Sequence, residues 1–309
     1  MLLSVIIPMY NEEELAERTF RTLESVLANV EHELVFVNDG SKDRTLEILE
    51  GLLAKAPGHT LINFSRNFGH QAAFSAGMAH AKGDAVVIID GDLQDPPELI
   101  HEMLIKWRDG YQVVYAQRRT RKGESFFKKL TASWFYRILN SLTNIEIPVD
   151  TGDYRLMDRR VVDHINNLPE RSRFLRGLVC WVGFKRTGLL YDRAERTAGV
   201  SKYPLKKMMR LATDGITSFS SAPLKLSFIL GLITTGISAL LGLWSIAERI
   251  IHPATTSQGW ASLMLVIVFL GGVQLLSVGI LGEYIGRIYD EVKQRPLYIL
   301  DKPSKENSK

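Results

Sequence analysis

Cysteine is nearly missing from the chain. Cys180 is the only one in 309 residues, so no internal disulfide can form, which suits a reducing compartment. Phosphate-cradling glycine loops are missing too. Neither G-x-G-x-x-G nor G-x-x-x-x-G-K-[ST] follows any apolar run, which disfavours dinucleotide dehydrogenase and P-loop chemistry. The seven histidines show no metal-ligand spacing and are expected to be structural or surface residues. No internal repeat occurs, and the only low-complexity stretch is the polar Asp301–Lys309. Met1–Pro8 is apolar but has no basic region before it and is broken by Pro8, so it reads as a first buried strand, not a signal peptide.

Charge is absent from two long stretches, Leu226–Ala247 and Trp260–Gly282. At 1.5 Å per residue each is about 33–35 Å long as a helix, enough to cross a hydrocarbon core of ~30 Å. With 46% hydrophobic and 23% charged residues, the chain as a whole averages to an ordinary globular composition, and disordered or collagen-like readings fall away. The expected division is a soluble-type domain over residues 1–222, a two-helix anchor over 223–286 and a basic tail over 287–309. Lys206, Lys207, Arg210 and Lys225 precede the first span; Arg287, Lys293, Arg295 and Lys302 follow the second; the connecting loop carries Arg249. The positive-inside rule then places the large domain and the tail in the cytoplasm, at the inner membrane. The net charge of +4 is read as basic residues facing anionic lipid.

Through residue 116, apolar runs alternate with amphipathic stretches. Strands are expected at Leu2–Met9, Glu33–Asn38, Thr60–Phe64, Asp84–Ile89 and Gln112–Ala116. Helices are expected at Glu12–Ala28, Lys42–Lys55, His70–Lys82 and Pro96–Asp109. This order predicts an α/β fold with a mostly parallel sheet covered on both faces. Ligands of such sheets bind beyond the carboxyl ends of the strands, which singles out Asn11, Asp39, Ser65–Asn67, Asp90 and Asp92.

Asp90-Gly91-Asp92-Leu93-Gln94 ends the fourth strand. Two carboxylates and an amide oxygen there suit one hard divalent cation, Mg²⁺ or Mn²⁺, completed by substrate phosphate and water. The following Asp95-Pro96-Pro97-Glu98 reads as a helix N-cap with a capping-box acid. Asp39, at the end of the second strand, is suited either to accept hydrogen bonds from a base N–H or to cap the next helix.

Pro8-Met9-Tyr10-Asn11-Glu12, Asn38-Asp39-Gly40-Ser41 and Asp90-Gly91-Asp92 together resemble the GT-A glycosyltransferases of family 2. Arg66-Asn67-Phe68-Gly69, Gly152-Asp153-Tyr154-Arg155, Gly199-Val200-Ser201-Lys202-Tyr203 and Gly282-Glu283-Tyr284-Ile285-Gly286-Arg287 narrow the likeness. These resemble the polyprenyl-phosphate glycosyltransferases, which include bactoprenol glucosyltransferases and dolichol-phosphate mannosyltransferases. The resemblance implies a Rossmann-like GT-A domain that inverts the anomeric carbon while moving one sugar from a nucleotide onto a lipid phosphate. UDP-glucose is the preferred donor, with GDP-mannose or UDP-GlcNAc as alternatives. It also implies that Pro8, Tyr10, Asn11, Glu12, Asp39, Arg66, Asp90, Arg196, Ser201 and Lys202 bind the nucleotide sugar. Asp90, Asp92 and Gln94 would hold the metal, and Asp153 would be the general base. Because a phosphate monoester has its second pKa near 6, the acceptor is largely dianionic, and Asp153 is alternatively expected to orient an arginine or the metal shell. Lys202 read without the family is a membrane-surface cation.

Arg118, Arg119, Arg121, Lys122, Lys128 and Lys129 crowd into twelve residues, and by family position Arg118 and Lys129 would receive the acceptor phosphate. Phe126, Phe127, Trp134 and Phe135 beside them suit a basic amphipathic helix at a lipid surface, not a nucleic-acid groove. A homo-oligomer and a downstream flippase are further expected partners. Two other functions are kept in view. A processive synthase is disfavoured because no Q-x-x-R-W follows Asp153, and an inert membrane adaptor is disfavoured by the intact charged sets.

Overall fold

The computed structural model describes residues 1–119, 148, 151–171, 173–192, 217, 220–251 and 260–301. The chain divides into two compact units. One comprises Met1–Gly215 with Arg295–Lys309, and the other comprises Ile216–Gln294. The range expected for the tail, 287–309, is shared between them: 287–294 go with the second unit and Arg295–Lys309 with the first.

The first unit is built on a seven-stranded sheet. Its strands are β1 (Leu3–Met9), β2 (His32–Asn38), β3 (Thr60–Asn63), β4 (Ala85–Ile88), β5 (Val113–Arg118), β6 (Thr151–Asp158) and β7 (Arg186–Tyr191), in the spatial order β3-β2-β1-β4-β6-β5-β7. The helices are α1 (Ala16–Val26), α2 (Thr45–Leu53), α3 (His70–His80), α4 (Leu99–Arg108), α5 (Arg159–Asn166) and α6 (Leu175–Trp181). All seven residues of β1 are buried, as a central strand covered on both faces requires. In α1 the buried Ala16, Thr19 and Leu23 recur at i, i+3 and i+7, one helical stripe against the sheet.

The sheet is mostly parallel with one reversed strand. β1 pairs in parallel with β2 and β4, β2 with β3, and β5 with β7. β6 runs antiparallel to both β4 and β5, placing Ile88 opposite Arg155. The reversal has a functional result. β6 begins at the edge where β1, β2 and β4 end, so its first residues join the strand-end loops.

The Asp-Pro-Pro-Glu expectation is corrected here. α4 begins at Leu99 with Glu98 at its N-cap position, and no side chain caps it. Asp95 is instead buried and accepts a short hydrogen bond from the Tyr191 hydroxyl of β7, while Tyr154 Oη donates to Pro96 O at 2.9 Å. A partner distant in sequence has taken the carboxylate that local propensity assigned to the cap.

The second unit holds α7 (Ala222–Ile251) and α8 (Trp260–Val292). Ala222–Trp244 and Val266–Val292 have mean hydropathies of 2.0 and 1.9, and almost nothing in either window is buried. Both are long and apolar enough to cross a membrane, and their exposed apolar faces are unlike those of a soluble core helix. Tyr284 Oη donates to Ser220 O at 2.6 Å, holding the later part of α8 to the start of α7.

Candidate active site

Three loops meet beyond β1, β2 and β3. Asn11 sits at a φ of 54°, a left-handed conformation that asparagine tolerates better than most residues. Its Oδ1 accepts from Lys42 N at 2.8 Å, while its own N–H donates to Ser41 Oγ at 3.0 Å. Glu12 N donates to Thr45 Oγ1 at 2.9 Å, and Arg44 N donates to Glu13 Oε2 at 3.0 Å. Donors and acceptors run both ways, so the 11–13 and 41–45 loops hold each other. Pro8 is buried in β1, and Tyr10 projects outward at 42% exposure.

Asp39 organises the third loop. Its Oδ1 accepts from Phe68 N at 2.7 Å, and its Oδ2 accepts from Asn67 Nδ2 at 2.9 Å and Gly69 N at 3.0 Å. Both oxygens are therefore engaged by residues 67–69, and neither caps α2. Burial is the largest influence on this carboxyl and raises its pKa against the lowering effect of those bonds. Arg66 lies with its guanidinium carbon 4.0 Å from the Phe68 ring centroid.

Gly40 is required at this junction. Its φ is +65°, and a Cβ built there would stand 2.3 Å from Arg66 C and 2.6 Å from Asn67 N, both backbone atoms. Gly40→Ala is expected to cost about 2–5 kcal/mol by adding left-handed strain to a backbone clash. Chemical denaturation checks this; a loss of a few tenths would show that the loops part without penalty.

Beyond β4, Thr19 Oγ1 donates to Gly91 O at 2.9 Å and Asp92 Oδ1 accepts from Gln94 N at 3.1 Å, forming an Asx turn. Leu93 has a φ of 52° and Gln94 is buried. Asp90 Oδ1 is a buried oxygen with no hydrogen-bond partner. His70 Nε2 stands 3.1 Å from it, within ion-pair range when the ring is protonated, but without hydrogen-bond alignment. A buried carboxylate oxygen with only a histidine ring beside it and no aligned hydrogen bond fits a divalent cation as a further partner. The oxygen-only set Asp90, Asp92 and Gln94 matches Mg²⁺ or Mn²⁺ in hardness. Among the described residues no three His, Cys, Asp or Glu side chains enclose an ion. Such a set leaves coordination positions for substrate phosphate.

Asp153 faces this loop from the start of β6. Arg176 of α6 grips it with both arms: Nε to Oδ1 and Nη2 to Oδ2, each 2.9 Å. His70 Nε2 is 4.0 Å from Asp153 Oδ2, so His70 lies between the two acids. Burial alone would raise the Asp153 pKa, but the Arg176 guanidinium outweighs it and holds the carboxyl well below the usual carboxylate range. A carboxylate so stabilised is a weak base.

Arg155 is buried beneath it, donating to Asp153 O at 3.1 Å and Gly152 O at 2.8 Å. Arg118, at the end of β5, donates from Nε to Tyr191 Oη at 3.3 Å and lies within electrostatic range of Arg176. Tyr191 is pushed up to about 12 by burial and the neighbouring Asp95 charge, so its hydroxyl stays protonated and donates.

The structure thus brings Asp90, Asp92, Asp153 and Arg118 to one end of the sheet, with Pro8–Glu12, Asp39 and Arg66 along it. Lys129, Arg196, Ser201 and Lys202 lie outside the described residues, as does the expected interface helix around Phe126–Leu139. Two participants escaped the sequence reading. His70 was set aside with the other histidines, although it directly follows the Arg66–Gly69 motif. Arg176 lies after Asp153 in the stretch without a Q-x-x-R-W, and no motif marks it.

Glycosyl transferase family 2 matches residues 4–165, and the GtrB C-terminal hairpin family matches residues 222–288. The glycosyltransferase YkcC of Bacillus subtilis is 52% identical over 301 residues, covering 97% of this chain and 93% of its own length. The bactoprenol glucosyl transferase of Shigella phage SfII is 44% identical over 309 residues, covering 99% of this chain and all of its own. Among solved structures, the glucosyl-3-phosphoglycerate synthase of Mycobacterium tuberculosis, in complex with Mn²⁺, uridine diphosphate and phosphoglyceric acid, covers 70% of this chain. That match spans 76% of the solved chain at 19% identity, with a TM-score of 0.48.

Proposed function

We propose that this chain, which belongs to glycosyl transferase family 2 and carries a GtrB-type hairpin, moves one glucose from UDP-glucose onto polyprenyl phosphate. The observation that carries the reading is a contiguous row of opposite charges. It runs from Asp90 through His70 and Asp153 to Arg176, with Arg118 beyond. A phosphate-to-phosphate transfer needs such a row, because donor diphosphate and acceptor phosphate repel each other. The near-full-length identity with a bactoprenol glucosyl transferase supports both substrates.

The residues divide the work as follows. The Pro8–Glu12 turn, Asp39 and Arg66 border the nucleotide end, and Asp90, Asp92 and Gln94 border its diphosphate. A divalent cation held by those three would neutralise charge on the departing nucleoside diphosphate. Arg118 and Arg176 supply fixed cations for the acceptor phosphate; Lys129, Arg196, Ser201 and Lys202 are proposed to add to this from segments outside the described residues. A dianionic acceptor oxygen attacks the anomeric carbon, forming the new C–O bond. The bond to the nucleotide breaks with its electron pair leaving on UDP, and the configuration inverts. No proton has to be removed from a phosphate whose second pKa is near 6. Asp153 is then the counter-ion that aims Arg176, not a proton acceptor.

The asymmetry of Lys and Arg about the two spans supports a cytoplasmic catalytic domain and tail. A glycolipid made there requires a flippase to be used across the membrane, and a two-helix hairpin favours a homo-oligomer.

Full-length protein supplied with undecaprenyl phosphate, Mg²⁺ or Mn²⁺, and either UDP-glucose, UDP-GlcNAc or GDP-mannose tests this. A single-sugar glycolipid from UDP-glucose is expected. Preference for another donor would change the sugar, a polymer would indicate a synthase, and failure of every donor to bind or react would indicate an inert adaptor.

A further inference from the structure

The segment that leaves α8 returns to the sheet beside the donor pocket. β3 is an outer strand, and its carboxyl end is paired by residues 299–301. Ser65 N donates to Ile299 O at 2.9 Å, Asp301 N donates to Asn63 O at 2.9 Å, and Phe64 bridges Leu300 in antiparallel fashion.

Two lines of contact run inward from there. The first is polar. Asn63 Nδ2 donates to Asp301 Oδ2 at 3.3 Å, and Asn38 Nδ2 donates to Asn63 Oδ1 at 2.7 Å. Ser41 Oγ donates to Asn38 Oδ1 at 2.5 Å and accepts from Asn11 N at 3.0 Å. Every link uses a side chain, and the chain passes through the loop that also donates Lys42 N to Asn11. The second is aromatic. Tyr298 stacks on Phe64 with centroids 4.9 Å apart and planes 14° from parallel. Phe64 meets Phe68 edge-on at 5.7 Å, and Phe68 carries the Arg66 guanidinium and gives its N–H to Asp39.

We infer that Tyr298 and Asp301 are positioning residues for nucleotide-sugar binding, acting through Asn63–Asn38–Ser41 on the Asn11 turn and through Phe64–Phe68 on the Asp39–Arg66 wall. The inference rests on the donor-pocket reading above. It goes further by making the segment beyond the hairpin part of that pocket's support. Neither residue touches the donor. Their effect is to fix loops whose ordering would otherwise weaken binding. Acceptor handling, at the Arg118 and Arg176 end, lies off both lines.

The test compares full-length wild type with the Tyr298→Ala/Asp301→Ala pair and with the conservative Tyr298→Phe/Asp301→Asn pair. Loss of one or two net contacts is expected to raise the KM for UDP-glucose roughly three- to tenfold, with acceptor KM and kcat essentially unchanged. Hydrogen exchange in ligand-free protein is expected to quicken at the amides of Lys42, Phe68 and Gly69, and the conservative pair is expected to restore both readouts. Unchanged donor KM and unchanged exchange in the folded alanine pair would overturn the inference. Should that pair not fold, Asp301→Ala alone decides, since it keeps the backbone pairing and the stack: faster exchange at Lys42 sustains the inference, and no change removes it. If wild type proves inert toward UDP-glucose the donor reading fails, and the exchange comparison still judges the support.

Discussion

Asp92→Asn is expected to lower turnover of UDP-glucose by about 10³, with little loss of fold, because a charge aimed at the reacting diphosphate is removed from a half-buried turn whose own hydrogen bond is kept. Asparagine keeps an oxygen for the Gln94 N–H, so the Asx turn survives. Asp90→Asn is expected to act as strongly by a different route. It turns a carboxylate with one buried oxygen into a neutral amide and removes the charge that faces His70. A binding readout separates charge loss from unfolding. Mn²⁺ with UDP should raise the melting temperature of wild type, as any ligand selective for the native state does, and should leave Asp92→Asn unmoved. Full activity of Asp92→Asn, or of wild type in excess chelator, would sink the metal assignment.

Asp153→Asn and Arg176→Gln are expected to be equally damaging, each lowering turnover on the order of 10²–10³ if the pair's work is to hold a fixed cation for phosphate. Each single change also strands a buried charge and is expected to cost roughly 3–5 kcal/mol of stability. The double variant should lose less stability than the two singles added together, because neither Asp153 nor Arg176 is then left facing the gap of the other. A general base makes a different pattern: Asp153→Asn would abolish turnover while Arg176→Gln, folded, kept most of it. The pH dependence of stability also follows. The folded-state pKa of Asp153 is depressed, so its contribution is complete above the unfolded value of about 3.9 and is lost as pH falls through the folded value. Wild type and Asp153→Asn should therefore differ in stability at neutral pH and converge in strong acid.

What could be read from the chain itself divides along local and distant causes. β1 through β5 were legible because each is a short apolar run bounded by turn residues, and Asp90 and Asp92 were legible because they follow such a run. The direction of β6 was not. Gly152–Asp158 reads as a motif with charges in it, and whether a strand enters a sheet forward or reversed depends on neighbours far away in sequence. β7 gives a weaker signal still, since most of its residues are only half-buried. Asp95 shows the opposite failure. Its Pro-Pro-Glu context is a sound capping pattern, yet Tyr191, 96 residues later, offers a buried hydroxyl that local statistics cannot register. Arg176 was missed for the same reason, its partner being 23 residues away on another element. The first four helices were legible but drawn too long, and α5 and α6 were not marked. Glu12–Ala28 became Ala16–Val26 because Glu12 and Glu13 are committed to the 41–45 loop.

The pairing of residues 299–301 with the rim of β3 has a consequence for anyone handling this protein. Outer strands that offer unpaired N–H and C=O groups are templates for another copy of the chain, and natural proteins blunt them. Here the carboxyl end of that rim is blunted by the chain's own last described residues. A truncation before Tyr298, or a bulky fusion placed there, uncovers a ready seam for strand addition. Clumping of such a product would then originate in the catalytic sheet, and detergent chosen to soothe the apolar hairpin would not cure it.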